Sequence, residues 1–254
     1  MHAGRTLIHT LFAALTTCAA SLPAIAQDGP ALLWQDNSIT YLIGDNYRVD
    51  PSTQQTITLE HASGWSAGDL FAFVDFTHFN GNRGNNVYGE FSPRLSYSKL
   101  SGNSLQLGPI KDVLLSSTVE FGEGKVETLL LGVGMDLEVP GTHFLQLNLY
   151  RRIPLHAPRS ETYQLTPVWS VPLGSKVSFD GFIDWQLNSD TGRASNWHFN
   201  PQIKYDIGQN FGLGKRQLMV GVEYSHWHNK YAIRDTPGFR TEQNAASFIL
   251  QSHF

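Results

Sequence analysis

The chain has 254 residues, with 22 acidic and 18 basic side chains, a net charge of −4, 12% aromatic residues and 23 glycines. Nucleic acid is disfavoured as a partner, because it calls for a basic stripe that this balance lacks. Only 16% of residues are charged, which suits a β-rich protein with one face in lipid and the other in water, and equally a soluble β-sandwich.

The first element reads as an export signal. Arg5 supplies a positive start, Leu7 to Leu22 an apolar stretch, and Pro23-Ala24-Ile25-Ala26 a small-residue cleavage site. Removal of residues 1–26 is expected, leaving 27–254 as the working domain. The single cysteine, Cys18, falls inside the signal. Thr16 and Thr17 precede it where a lipidation box wants small apolar residues. Residues 27–254 therefore have no thiol for a disulfide or a metal. No apolar run of about 18 residues follows, so no membrane-spanning helix is expected.

The rest divides into twelve segments of alternating polarity: 33–43, 55–62, 70–79, 88–98, 111–121, 126–138, 143–152, 161–171, 177–188, 197–208, 216–229 and 242–254. Lipid-crossing strands need about 9–11 residues, apolar outward and polar inward. In 88–98, Phe91, Leu95 and Tyr97 oppose Glu90, Ser92, Arg94 and Ser96. In 143–152, Leu145, Leu147 and Leu149 oppose Gln146, Asn148 and Tyr150. Segment 197–208 sets Trp197, Phe199, Ile203 and Tyr205 against His198, Asn200, Gln202, Lys204 and Asp206. In 216–229, Leu218, Val220, Val222 and Tyr224 oppose Gly221, Glu223 and Ser225. The last segment alternates as far as a terminal aromatic, Phe254, read as a signal to outer-membrane assembly machinery. No segment keeps a 3.6-residue apolar period, so helices should be minor.

Pro140-Gly141, Pro172-Leu173-Gly174-Ser175 and Gly208-Gln209-Asn210 read as tight periplasmic turns, and polar stretches at 44–54, 80–87, 153–160, 189–196 and 230–241 as outer loops. Two connections break this rhythm. The 99–110 linker is long for a turn, and Gly122-Glu123-Gly124-Lys125 is short for a loop, which questions a strand boundary there. Tyr41, Phe76, Tyr97, Trp169, Trp197 and Tyr205 lie near strand ends and suit interfacial girdles, or ordinary packing. An even strand count fits closure, and lipid demands it because an open edge finds no water there. The expected fold is all-β: a transmembrane antiparallel up-and-down β-barrel of 12 strands.

Several motifs carry a resemblance. They are Trp34-Gln35-Asp36-Asn37-Ser38, Tyr88-Gly89-Glu90-Phe91-Ser92-Pro93-Arg94-Leu95-Ser96, Leu107-Gly108-Pro109-Ile110-Lys111-Asp112, Gly132-Val133-Gly134-Met135-Asp136, Leu147-Asn148-Leu149-Tyr150 and Gly181-Phe182-Ile183-Asp184-Trp185. In order and spacing they resemble the Tsx/OmpK family of nucleoside-specific channel-forming outer-membrane proteins. The Glu-x-x-Pro-Arg-x-Ser run together with the Asp-Trp pair is the most specific part. The resemblance implies a narrow monomeric barrel passing nucleosides, with a phage or colicin receptor role on the outer surface. The outer loops are shorter than in the channel-type members, which leaves the solute less secure.

A nucleoside is uncharged, with a flat base and a polyhydroxyl sugar. Its passage calls for aromatic surfaces, since stacking is worth roughly 1–3 kcal/mol per base. It also calls for polar groups to hydrogen-bond the ribose, in sites weak enough to release it. Alternation nominates Trp34 and Asp36 beside Ser38 and Thr40, Glu60 beside Thr56 and Thr58, and Phe182 and Asp184 beside Asp180, Gln186 and Asn188. In 70–79 both faces are apolar, and the Phe71, Phe73, Asp75 face is taken as lumenal. Glu90 and Arg94 are further lumen candidates, also readable as a brace because opposite charges stand four positions apart. Trp34 is equally readable as an interfacial anchor. Asp112, Glu120, Asp136, Lys204, Asp206 and Glu223 read as solvated wall charges.

Other chemistry finds little support. No G-x-S-x-G accompanies the histidines, so no catalytic residue is assigned. His226-Trp227-His228 puts two imidazoles on one strand face without an evident third ligand, so neither metal nor cofactor is expected. A surface-recognition barrel and a general small-solute porin remain as alternatives to a selective nucleoside channel.

Overall fold

In a computed structural model, residues 29–81, 83–156, 162–187 and 193–254 are described. The expected signal at 1–26, Asn82, Asn188 and parts of the 153–160 and 189–196 loops lie outside them. Twelve strands follow one another: β1 Leu32–Asp45, β2 Gln54–Trp65, β3 Gly68–Phe79, β4 Asn85–Ser96, β5 Ile110–Gly122 and β6 Glu127–Leu137. Then come β7 Phe144–Pro154, β8 Thr162–Pro172, β9 Val177–Gln186, β10 Asn196–Asp206, β11 Leu218–His228 and β12 Gln243–His253. Each pairs antiparallel with its neighbours in sequence, and β1 pairs with β12 from Ser38↔His253 to Asp45↔Ala246, closing the barrel. The Phe254 N–H adds one more rung, donating to the Asn37 carbonyl at 2.9 Å. The barrel end where β1 starts and β12 finishes is the base; the other is the mouth.

Half of the strands have 11 residues, as in β7 and β12, and the others 10 to 14. Eleven residues at about 3.3 Å each, tilted by about 40°, climb about 28 Å, close to the apolar height of an outer-membrane barrel. The polarity is inverted relative to a soluble fold. Leu95, Leu115, Val133, Leu149 and Leu165 form one outward row across β4 to β8. The adjacent row, Arg94, Ser116, Gly132, Tyr150 and Gln164, points inward. Leu115 is 55% exposed and Ser116 0%. Such a surface is stable only against hydrocarbon.

Both irregular connections resolve locally. Alternation carries the 88–98 segment through Tyr97, but β4 stops at Ser96 and a short helix, α1 (Tyr97–Ser101), opens the 99–110 linker at the base. Ser96 caps it, its hydroxyl accepting from the Lys99 N–H at 3.0 Å, and Gly102 ends it in the left-handed region. The short 122–125 connection is a genuine mouth turn and not a misplaced boundary. A 3₁₀ turn at Glu123–Lys125 reverses the chain, with Gly124 at φ 69° supplying a conformation that costs other residues about 1–2 kcal/mol.

The facing is testable. Arginine at Leu149, midway along β7, should cost about 2–4 kcal/mol in reversible urea unfolding from lipid vesicles, against about 0–1 for Ile153 at the strand's end. Equal costs at the two positions would contradict the outward row.

Candidate functional site: the barrel lumen

Inward parity is fixed by the ladder. The β1–β2 register sets Ser38 opposite Glu60 and Thr40 opposite Thr58. The β2–β3 register then sets Glu60 opposite Phe73 and Thr58 opposite Asp75. Phe71, Phe73 and Asp75 therefore face the lumen, with Leu70, Ala72, Val74 and Phe76 outward. Carried on, the same parity turns Glu90, Arg94, Phe182 and Asp184 inward.

Aromatic rings collect on two walls. On β3 and β4, Phe71 lies 5.9 Å from Phe73, and Phe73 lies 5.9 Å from Tyr88. Phe71, near the base, keeps 41% of its surface exposed. On β9 to β11, Phe182 meets the His198 ring edge-on at 5.3 Å, and His198 stacks on Trp227 at 4.2 Å and 12°. Tyr231, in the loop beyond β11, continues this wall at 5.6 Å from Trp227. In a ring of twelve, β3 and β9 are six strands apart, as are β4 and β10. The two walls therefore oppose each other across the lumen.

The His198 ring is held by hydrogen bonds to its Nε2, from the Ser225 hydroxyl at 3.0 Å and from the Asn200 amide at 3.3 Å. The Gln243 amide donates to the same Ser225 oxygen at 2.8 Å, and the Asn200 amide nitrogen, which carries only donors, makes Nε2 an acceptor. Any ring N–H then sits on Nδ1.

The charged groups divide into two kinds. Each buried cation in the strands has its own acid. Arg94 grips Asp69 with two parallel bonds, 2.8 and 2.7 Å, and reaches Asp136 at 3.0 Å. Arg152 pairs with Glu120 at 2.6 and 2.5 Å and donates to Gln164 at 2.5 Å. Lys204 lies 3.3 Å from Asp180 and donates to Gln251 at 3.0 Å. A second set of carboxylates is bonded to neutral donors. Glu60 accepts from Ser38 at 2.7 Å and Gln251 at 3.0 Å. Asp75 accepts from Thr58 at 2.6 Å, Glu90 from Tyr88 at 2.8 Å and Glu223 from Gln202 at 2.8 Å. Asp184 accepts from Gln164 at 2.8 Å and Thr166 at 2.7 Å.

Several expectations change. Arg94 does not brace against Glu90: register puts Asp69 directly opposite it, and Gly134 leaves room for the guanidinium to reach Asp136. The arginine is 6% exposed, its fork occupied. Glu120, Asp136 and Lys204 are members of braces, not solvated wall charges. Asp112 and Asp206 hold backbone instead: Asp112 accepts from the Ser98 N–H at 3.0 Å and Asp206 from the Arg216 N–H at 2.7 Å. Trp34 faces inward at the base but joins neither wall; its indole lies over Gly64, where a Cβ would come within 2.1 Å. Asp36 beside it meets His253 Nδ1 at 2.9 Å. Outside the barrel, His226 and His228 flank the Trp197 ring at 4.5 and 6.3 Å, as their shared face implied. Tyr88, Arg152, His198 and Trp227 are not among the lumen candidates that the sequence nominates, although His198 lies on the inward face of its segment. Parity with Glu90, Tyr150, Asn200 and Glu223 carried the signal, and only strand pairing brings these residues together.

Residues 32–252 match the family described as nucleoside-specific channel-forming protein, Tsx. The chain belongs to the Tsx family. Outer membrane protein OmpK of Vibrio parahaemolyticus is 28% identical over 201 residues, 74% of each chain. Nucleoside-specific channel-forming protein Tsx of Salmonella typhimurium is 24% identical over 261 residues, covering 91% of this chain and 86% of that one. Among solved structures, the NanC porin superposes with a TM-score of 0.55 at 11% identity, over 87% of this chain and 98% of that one. The KdgM porin gives 0.53 at 10%, over 85% and 99%. These two establish shared architecture alone. Membership in Tsx, with this barrel, makes the protein an outer-membrane channel.

The braces should matter to stability more than to solute. Arg94→Met leaves the half-buried Asp69 and Asp136 without their cation and should lower stability, measured by urea unfolding in vesicles, by up to about 3–5 kcal/mol. Arg94→Lys, which keeps the charge but loses the fork, should fall between that variant and the parent. A Met variant as stable as the parent would show the brace to be dispensable.

Proposed function

We propose that this channel passes nucleosides selectively, the base sliding between the two aromatic walls and the ribose exchanging hydrogen bonds with the carboxylates bonded to neutral donors. The observation that carries this reading is the opposition of Phe71, Phe73 and Tyr88 to Phe182, His198 and Trp227, with Glu60, Asp75, Glu90, Asp184 and Glu223 on the same inward faces. An aromatic face binds any base without reading it, which suits a conduit for several nucleosides. A carboxylate held by one or two neutral donors keeps lone pairs for sugar hydroxyls. Spreading these groups along the wall keeps each contact weak, so solute moves from one to the next. A phosphorylated solute would bring negative charge beside these carboxylates, and the strand cations that could offset it are committed to their own acids. In this reading residues 1–26 are removed during export, and the base of the barrel faces the periplasm.

Planar-bilayer conductance tests the reading. Adenosine or thymidine should block current in a saturable, concentration-dependent way, with no block by glucose or by nucleotides. Phe73→Ala and Trp227→Ala should each raise the half-blocking concentration, by an amount corresponding to about 1–3 kcal/mol of lost stacking. Block that is absent or never saturates in the parent would favour a general small-solute porin, and unchanged block in both variants would remove the walls from the site.

A further inference from the structure

Two loops at the mouth fold inward and are fastened to each other. Lys230, two residues past the end of β11, is 3% exposed. Its ammonium donates to Asp50 at 2.7 Å, in the loop between β1 and β2, and to the side-chain oxygen of Gln243 at 2.8 Å. The same Gln243 oxygen accepts from the Arg48 N–H at 3.0 Å, so the first residue of β12 holds both loops. The Tyr231 hydroxyl donates to Asp50 at 2.7 Å, and the Lys230 ammonium lies 4.9 Å from the Tyr231 ring centre and 5.8 Å from that of Tyr47. Tyr47 reaches in far enough for its hydroxyl to meet Ser247, on the inward face of β12, at 2.6 Å. A third loop joins from the side: the Ala194 N–H donates to the Ala232 carbonyl at 3.0 Å, and Arg193 to that of Tyr231 at 3.2 Å.

The backbone is strained in the same place. Of the six non-glycine residues with positive φ among the described residues, five lie in these two loops: Asn46, Val49, Asn229, Tyr231 and Ala232. Val49, at φ 71°, is β-branched, for which this region is a genuine outlier. Such conformations persist in Val49, Tyr231 and Ala232 only where surrounding contacts over-determine them. Burial lowers the Lys230 pKa and raises that of Tyr47 to about 12, as expected for groups taken out of water at the mouth.

We infer that loops 46–53 and 229–242 form a latched lid over the mouth, bolted by Lys230 to Asp50 and Gln243, and that its opening sets how often the channel admits solute. The inference rests on the channel reading but not on nucleoside selectivity, since a lid gates ions as well. Asp50→Asn leaves the ammonium buried without its acid and should release the lid most. Lys230→Met, which keeps the stem and removes the charge, and Tyr231→Phe, which removes one bond, should release it less.

The test is single-channel recording of the full-length protein and the three variants in potassium chloride. Correct assembly is checked by the shift in gel mobility on heating that folded barrels show. The ratio of open to closed dwell time should rise about tenfold or more in Asp50→Asn, the size expected for one lost charge-assisted contact. It should rise by smaller factors in Lys230→Met and Tyr231→Phe, which carry the test if Asp50→Asn does not assemble. A conducting parent whose folded variants keep its dwell times and unit conductance would overturn the lid alone. If parent and variants all fail to conduct, the channel reading falls and the lid with it.

Discussion

Inside hydrocarbon a backbone amide has no water to turn to, and each one left unpaired costs several kcal/mol. That constraint organises this protein. The ladder between Ser38↔His253 and Asp45↔Ala246 converts an open sheet with two raw edges into a closed cylinder. Lipid around the closed cylinder then selects leucine and valine on outward positions, while serine, asparagine and glutamine predominate inward beside a few buried apolar residues such as Leu114, Leu130 and Ile249.

A polar interior brings its own demand. Every inward group needs a partner, and the protein meets this by two separate devices. Arg94, Arg152 and Lys204 each take the charge of their own carboxylates, tying strands β3 to β6, β5 to β8 and β9 to β12 respectively. The remaining carboxylates are oriented by hydroxyls and amides, which fix them without neutralising them. Among the described residues, few buried side-chain polar atoms lack a partner: Thr40 Oγ1, Trp169 Nε1 and His253 Nε2. Rigidity and solute contact can thus be assigned to different residues of the same wall.

The mouth obeys different physics. Its loops are free of the ladder, so their conformation is set by side-chain bonds working against unfavourable dihedrals. Asp235 illustrates this: its carboxylate collects the Thr241 and Glu242 N–H groups, which hold its pKa below the usual range and pin the returning arm of the 229–242 loop.

The alternation of period two was legible from sequence because lipid selects it residue by residue: Leu145, Leu147 and Leu149 announce their facing without reference to any other strand. Strand number and most facings follow from it, and most boundaries to within two residues; β2 runs on to Trp65 and β4 starts back at Asn85, each three residues beyond the alternating segment. The exception at Tyr97 has a physical cause, since that residue continues the alternation of β4 and only the Ser96 cap turns the chain into a helix. Partnership was not legible. Arg94 could be assigned to Glu90 on the strength of spacing along one strand, whereas the register offers it Asp69 from β3 and Asp136 from β6. Nor could sequence oppose Phe73 to Phe182, or bring Lys230 to Asp50, which lies 180 residues away. Facing is a property of one strand in its solvent; contacts across the lumen and the mouth depend on how twelve strands close, and only the tertiary structure decides that.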